Sequence, residues 1–327
     1  MSVTVPDPDL PIIDAHHHLF ARNHWAGGVP YLLPEFAADL ASGHNVVSTV
    51  YVECGTLDRT DGPEHLRGLG EAAFVAVMAR LAETGAFGPA RMCEALVAHA
   101  DLMRGDVLPE VLDGLDSASE GRLRSIRCAT NWDADQNLAP GTRPFGQRWL
   151  MAEPAFRDGV RLLAARGLAY DAWQYYPQLP ELADLAAAIP EATIIAGHCG
   201  GLVGRNAYAG PDNFSHWRAA VIELARRPNV VMKLGGLSHD RTGFGYGGRP
   251  QRPSADELVA DWGPYIETCV EAFGADRCLF ESNFPVDAVA ADYRTLWTVF
   301  KRTVAGCSDD EKRALFAGTA RRVYRLA

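Results

Sequence analysis

No CxxC pair occurs in the chain, and its seven cysteines, Cys54, Cys93, Cys128, Cys199, Cys269, Cys278 and Cys307, stand as singles. Disulfide frameworks and zinc ribbons pair cysteines at short spacing, so both are excluded. An odd number of thiols, several inside apolar runs, reads instead as small buried hydrophobes in a reducing compartment. Lys/Arg clusters are also missing. With a formal charge of −10 and a pI near 5.5, no basic face is available for a phosphate backbone, which predicts no nucleic-acid partner. No apolar run approaches a membrane span, and MSVTVPDPDLP carries neither the basic nor the apolar region of a signal peptide. These absences predict a cytoplasmic protein with a small-molecule partner, with self-association into a homo-oligomer left open. No GxGxxG follows the first β-type run, where DAHHH stands instead, and GxSxG and Walker patterns are lacking, which argues against dinucleotides, a serine triad and nucleoside triphosphates.

What the chain does have is alternation. Short β-type apolar runs at 11–16, 46–54, 94–101, 123–129, 168–173, 192–198, 229–236 and 277–283 alternate with helical periodicity. The helical stretches fall near 34–43, 63–85, 106–119, 150–166, 179–188, 214–227, 254–274 and 289–304. A last amphipathic piece at 308–325 opens on the cap signal Ser308-Asp309-Asp310-Glu311. Strands apolar on both faces and separated by helices make a parallel sheet covered by helices. Eight such units in one domain, 1–327, predict an α/β fold of the closed (β/α)8 TIM-barrel type, ahead of an open doubly wound sheet. Long connections at 131–149, 200–213 and 237–253 are expected to wall the active face, with Tyr208, Phe244 and Tyr246 as aromatic contacts for a substrate.

Polar residues gather after the strands, where such barrels build their sites. They are His16 to His18, Glu53, His99 with Asp101, Arg127 with Asn131, Asp171 with Gln174, His198, Lys233, and Glu281 with Asn283. In "IIDAHHHLF", strand alternation puts Asp14, His16 and His18 on one face and His17 on the other. A His-x-His pair facing a barrel interior is a ready metal chelate, and His198, at the end of "TIIAGHCGG", supplies a third imidazole. Against this stands the plain alternative of hydrogen-bonded polar strand ends.

Together "DAHHHLF", "AGHCGG", "RCLFESNFPVD", "DAWQYYPQLPEL" and "LFAGTARRVYRL" resemble the amidohydrolase superfamily, in its amidohydrolase-related branch of 2-pyrone-4,6-dicarboxylate lactonase, sugar lactonases and aminocarboxymuconate-semialdehyde decarboxylase types. The resemblance runs over essentially the whole chain and implies a TIM barrel with hydrolase or decarboxylase activity. Two departures matter. The superfamily usually ends its eighth strand in Ser-Asp, where this chain has Asn283, an amide that cannot act as a base. Its fifth strand often carries a further His, absent from Tyr170–Tyr175. One ion at most is therefore expected, a divalent metal such as zinc on His16, His18 and His198, with metal-free catalysis the close alternative.

Glu281 shares the inward face of Asn283 and is read as a fourth ligand, a base, or a structural carboxylate paired with Arg127 or Lys233; Asp287 and Asp171 are weaker candidates for the base. Arg127 resembles the arginine that holds a substrate carboxylate in the lactonase branch, and Arg205, Arg241 and Arg249 are possible helpers from the loops. Lys233 is read as polarising a carbonyl or pairing with a carboxylate, and Gln174 as a further substrate contact. The leading expectation is water-driven opening of a small carboxylated or polyhydroxylated lactone. Non-oxidative decarboxylation of an aromatic or unsaturated acid is the second reading, and an inactive ligand-binding barrel the third.

Overall fold

The computed structural model describes residues 5–22, 28–135, 137–138 and 146–327. Part of the predicted 131–149 wall therefore lies outside the described residues. The eight predicted β-runs become eight strands: β1 (Ile12–His17), β2 (Val46–Val52), β3 (Arg91–His99), β4 (Leu123–Ala129), β5 (Ala169–Trp173), β6 (Ile194–Ala196), β7 (Val230–Leu234) and β8 (Cys278–Phe280). They pair in parallel and in sequence order. The ring closes where His18 N donates to Phe284 O at 2.8 Å and Asn283 N donates to His16 O at 2.8 Å. The TIM-barrel expectation is met.

Helices α1 (Leu33–Leu40), α2 (Leu69–Glu83), α3 (Leu108–Ala118), α4 (Pro154–Ala165), α5 (Leu179–Ala188), α6 (Asn213–Ala225), α7 (Ala255–Phe273) and α8 (Tyr293–Thr303) each follow one strand. Where a cap is written in the sequence, the boundary follows it. Ser254 and Glu257 form a capping box at α7, and Asp292 caps α8 through Thr295 N. Ser308 and Glu311 do the same for α9 (Asp309–Arg313), which runs through a π turn at Ala314–Gly318 into α10 (Thr319–Tyr324). Two predicted helices are shorter than their periodicity. The run at 63–85 breaks into a 3-10 turn (Glu64–Leu66) before α2, and the run at 289–304 waits for Asp292 to start. No helix among the described residues is long and apolar enough to cross a membrane.

Two layers of core result. Outer faces of the strands pack under the helices. Inside the barrel lie Ile13, Ala15, Val50, Val52, Val97, Ile195, Val231 and Leu279, joined by Ala317, Ala320, Val323 and Tyr324 of the C-terminal segment. That segment plugs the end where the strands begin, and Ala327 N donates to Glu94 Oε1 of β3 at 3.0 Å.

This layering corrects one expectation. Asp14 does not share the face of His16 and His18. Ile13 and Ala15 point inward, so Asp14 points out, where its carboxylate takes Ser282 Oγ (2.6 Å), Ser282 N (2.9 Å) and Tyr293 OH of α8 (3.0 Å). A register irregularity between Asp14 and His17 resets the alternation, so the imidazoles regain the inner face one residue later than a regular strand allows. His17 does face the helices, stacked on Phe36 of α1 with ring centroids 4.2 Å apart.

Candidate functional site

The barrel mouth brings the imidazoles of β1 and β6 together. The His16 and His198 ring centroids are 5.0 Å apart, those of His16 and His18 4.7 Å. Glu281, just past β8 and fully buried, lies between the first two. Its Oε1 is 2.7 Å from His198 Nδ1, and its Oε2 is 2.7 Å from His16 Nδ1. His198 N also donates to Glu281 Oε1 at 3.1 Å.

Backbone geometry makes room for this. His198 and Cys199 hold φ of 54° and 50°, a left-handed conformation that costs a non-glycine residue about 1 kcal/mol or more. The Gly pair after β7 is required by close approach. A Cβ on Gly236 would fall 2.1 Å from His198 Nδ1, and one on Gly235 would fall 2.4 Å from Glu281 O.

His16, His198 and Glu281 offer ligand atoms that all lie within 4.8 Å of one another. This group differs from the expected His16, His18, His198 set, with Glu281 standing where His18 was expected. His18 adjoins it, its Nε2 3.0 Å from His16 Nε2. Burial lowers the pKa of all three rings, His18 to about 3, so each is neutral at pH 7. Burial alone would raise Glu281, but His198 and His16 outweigh it and hold its carboxyl well below the usual range.

Counting protons then tests whether the donors fit a cation. His18 Nδ1 lies 2.7 Å from Val52 O, an acceptor only, so this nitrogen carries the hydrogen and Nε2 is a bare lone pair. If His16 carries its hydrogen on Nδ1, two lone pairs meet at 3.0 Å. If it carries it on Nε2, a lone pair meets the Glu281 carboxylate at 2.7 Å. His16 Nδ1 and Glu281 Oε2, close as they are, share no well-aligned hydrogen bond. Either tautomer leaves two electron pairs in contact, an arrangement a divalent cation relieves. The donor set, two or three imidazoles and a carboxylate, is one that zinc accepts.

Three cations surround the cluster, Lys233 and Arg241 buried and Arg127 partly so. Arg127 Nε donates to Glu53 Oε1 at 2.7 Å, and its Nη2 donates to Glu53 O. Lys233 Nζ donates to Asp171 Oδ2 at 2.8 Å and stands 4.0 Å from Glu281 Oε2; Tyr324 OH, from the plug, also donates to Asp171 Oδ2 at 3.0 Å. Arg241 differs from both. It is 3% exposed, its guanidinium lies 4.5 Å from the Trp173 ring centroid, and Trp173 stands edge-on to His198 at 4.9 Å. Among the described residues no carboxylate pairs with Arg241, and its Nε has no partner. Burial lowers Arg241 to about 10, which leaves it charged at neutral pH.

The remaining expected residues scatter. Gln174 is fully buried with both amide atoms unpartnered. Asn283 turns its Nδ2 to Asp287 Oδ1 at 2.9 Å. Tyr208 OH donates to Asp133 Oδ2 at 2.6 Å, bridging two of the long connections. Phe244 and Tyr246 stack on each other and against Tyr265 and Trp262 of α7, and Tyr246 OH bonds Asp261, so these rings serve helix packing. His99 and Asp101 line a cavity of about 480 Å3 with Arg67 and Arg104, beside α3. Arg205 pairs with Asp240, and Arg249 lies 3.8 Å from Glu257. Sequence reasoning passed over Trp173, although an aromatic directly before the polar Gln174 at a strand end was a usable signal.

The amidohydrolase family model matches residues 13–326. The chain belongs to the amidohydrolase family. This amidohydrolase is 32% identical over 337 residues to the uncharacterized protein y4mH of Sinorhizobium fredii, an alignment covering 97% of this chain and 99% of that one. It is 32% identical over 183 residues to an L-fucono-1,5-lactonase of Burkholderia multivorans, covering 52% of this chain and 56% of the relative. Among solved structures, an amidohydrolase from Burkholderia multivorans with bound zinc superposes with a TM-score of 0.73 at 25% identity, covering 97% of this chain and 99% of the other. The amidohydrolase is thus a member of a hydrolase family with lactonase relatives.

Proposed function

We propose that this amidohydrolase opens a small lactone, and that His16, His198 and Glu281, with His18 beside them, hold one divalent ion at the barrel mouth. The observation that carries the reading is the buried His16–Glu281–His198 cluster, whose opposed lone pairs call for a cation. The zinc-bound relative and the L-fucono-1,5-lactonase relative support it. A bound divalent ion polarises an ester carbonyl and eases the ionisation of water.

The chain's own residues do the rest. Glu281 orients the His198 imidazole by accepting from its Nδ1, and Val52 O fixes His18, as partners of ligands do. Trp173 holds the Arg241 guanidinium over its ring beside His198, where it receives an anionic group of the substrate. Arg127, Arg205 and Arg249, offered by the sequence for the same task, are each beside a carboxylate of the protein. Arg241 is therefore the first choice for a substrate carboxylate, with Arg127 behind it. A lactone suits this site because ring opening demands less of the catalyst than cleavage of an amide.

The reading is tested by acid release from a lactone panel that includes L-fucono-1,5-lactone and 2-pyrone-4,6-dicarboxylate. Turnover by the parent, lost on His198→Ala, is the expected result. Undiminished turnover in His198→Ala contradicts the reading.

A further inference from the structure

Water attack on a lactone needs a group to take the water's proton, and most buried carboxylates at the mouth are committed. Glu281 faces His198 and His16, Glu53 holds Arg127, and Asp171 holds Lys233 and Tyr324. Asp287 is different. Its Oδ1 accepts from Asn283 Nδ2 at 2.9 Å, while its Oδ2 is buried and makes no well-aligned hydrogen bond, although the Ser238 amide also acts on the carboxyl. A carboxylate oxygen out of water with no well-aligned donor is costly unless a ligand or a proton meets it.

The path of the chain explains the placement. Asn283 N donates to His16 O, which ties Asn283 to the strand that bears the imidazoles. Asn283 then adopts φ of 52°, a left-handed turn that asparagine tolerates. The 3-10 turn Val286–Val289 folds back, and Asp287 N reaches Asn283 O at 3.2 Å. With Asn283 Nδ2 on one carboxylate oxygen, the other is left as the acceptor.

We propose that Asp287, held in place by Asn283, is the carboxylate that takes the proton from the attacking water. This rests on the lactonase reading. The water oxygen bonds to the lactone carbonyl carbon as its proton passes to Asp287 Oδ2. The ring C–O bond then breaks with its electron pair on the ring oxygen, and Asp287 returns the proton to that oxygen. The sum is lactone plus water giving the hydroxy acid. Burial pushes Asp287 up to about 7; the Asn283 hydrogen bond opposes that, the Glu281 charge adds to it, and Arg241 and the Ser238 amide hold it back. A proton acceptor works best when its affinity for the proton is matched to the working pH.

The test uses the full chain with L-fucono-1,5-lactone, comparing Asp287→Asn and Asp287→Ala with the parent. Asp287→Asn keeps the shape of the side chain and guards against misfolding. The expected result is a fall in kcat of about 10²- to 10⁴-fold with KM within about threefold. Added formate, a small carboxylate that fits the space left by Asp287→Ala, then restores kcat at least about tenfold, a rescue that a structural role would not show. Asp287→Asn with kcat within about threefold of the parent overturns the proposal, as does an Asp287→Ala loss that formate does not relieve. A parent that opens no lactone of the panel overturns the lactonase reading itself. Turnover by the parent with an indifferent Asp287→Asn overturns only the role of Asp287.

Discussion

Lys233 and Arg241 are both buried cations beside the same imidazole cluster, and their surroundings are opposite. Lys233 is locked to Asp171 at 2.8 Å inside the barrel, with Tyr324 of the plug on the same carboxylate oxygen. Arg241 has an aromatic face and no carboxylate of its own among the described residues. A buried charge is expensive unless paired, so a cation matched within the protein is part of the scaffold, and one left unmatched is waiting for a partner from outside. Arg127, with Glu53 at 2.7 Å, falls on the side of Lys233. The difference separates residues that build the site from one that uses it.

The comparison can be broken most sharply at Lys233. Lys233→Met leaves Asp171 buried and unpaired, with an expected loss of about 3–5 kcal/mol in urea unfolding, and much of it returns in the double variant with Asp171→Leu. A small loss, or no recovery in the double variant, would show that the pair is not a support. Arg241→Met is expected to behave the other way. Stability changes by less than about 1 kcal/mol, because no close ion pair within the protein is broken, while KM for a carboxylated lactone rises about 10- to 100-fold against a neutral one. Equal effects on both lactones would remove the anion-binding role.

The smallest effect concerns a polar group far from this mouth. His44 Nε2 donates to Arg294 O at 3.0 Å, and burial first, then nearby Lys301 and Arg294, lower its ring to about 4. A depressed imidazole contributes stability above the unfolded value of 6.5, and that contribution is lost as pH falls towards 4. The urea midpoint should therefore slope downward over this window, and His44→Gln should flatten the slope by a fraction of the whole. An unchanged slope would count against a neutral buried ring.

The order of strands, the barrel and the meeting of His16 with His198 were legible because they rest on periodicity and on strand ends, both local properties of the chain. The outward turn of Asp14 was not, since one irregularity between Asp14 and His17 reverses the parity on which the expectation depended. Three loop arginines looked alike in sequence, and only their three-dimensional partners separate Arg241 from Arg205 and Arg249. Phe244 and Tyr246 had the composition of a pocket wall, yet Tyr265 and Trp262 of α7 claim them through contacts that no spacing rule predicts.

The account stands most directly on a cation at His16, His198 and Glu281. Elemental analysis of the full chain purified without added metal, in parallel with Glu281→Gln, tests it. The prediction is about one divalent ion per chain, largely lost in the variant because Glu281 both binds and orients its imidazole neighbours. A parent that opens lactones at full rate with no bound metal would contradict it.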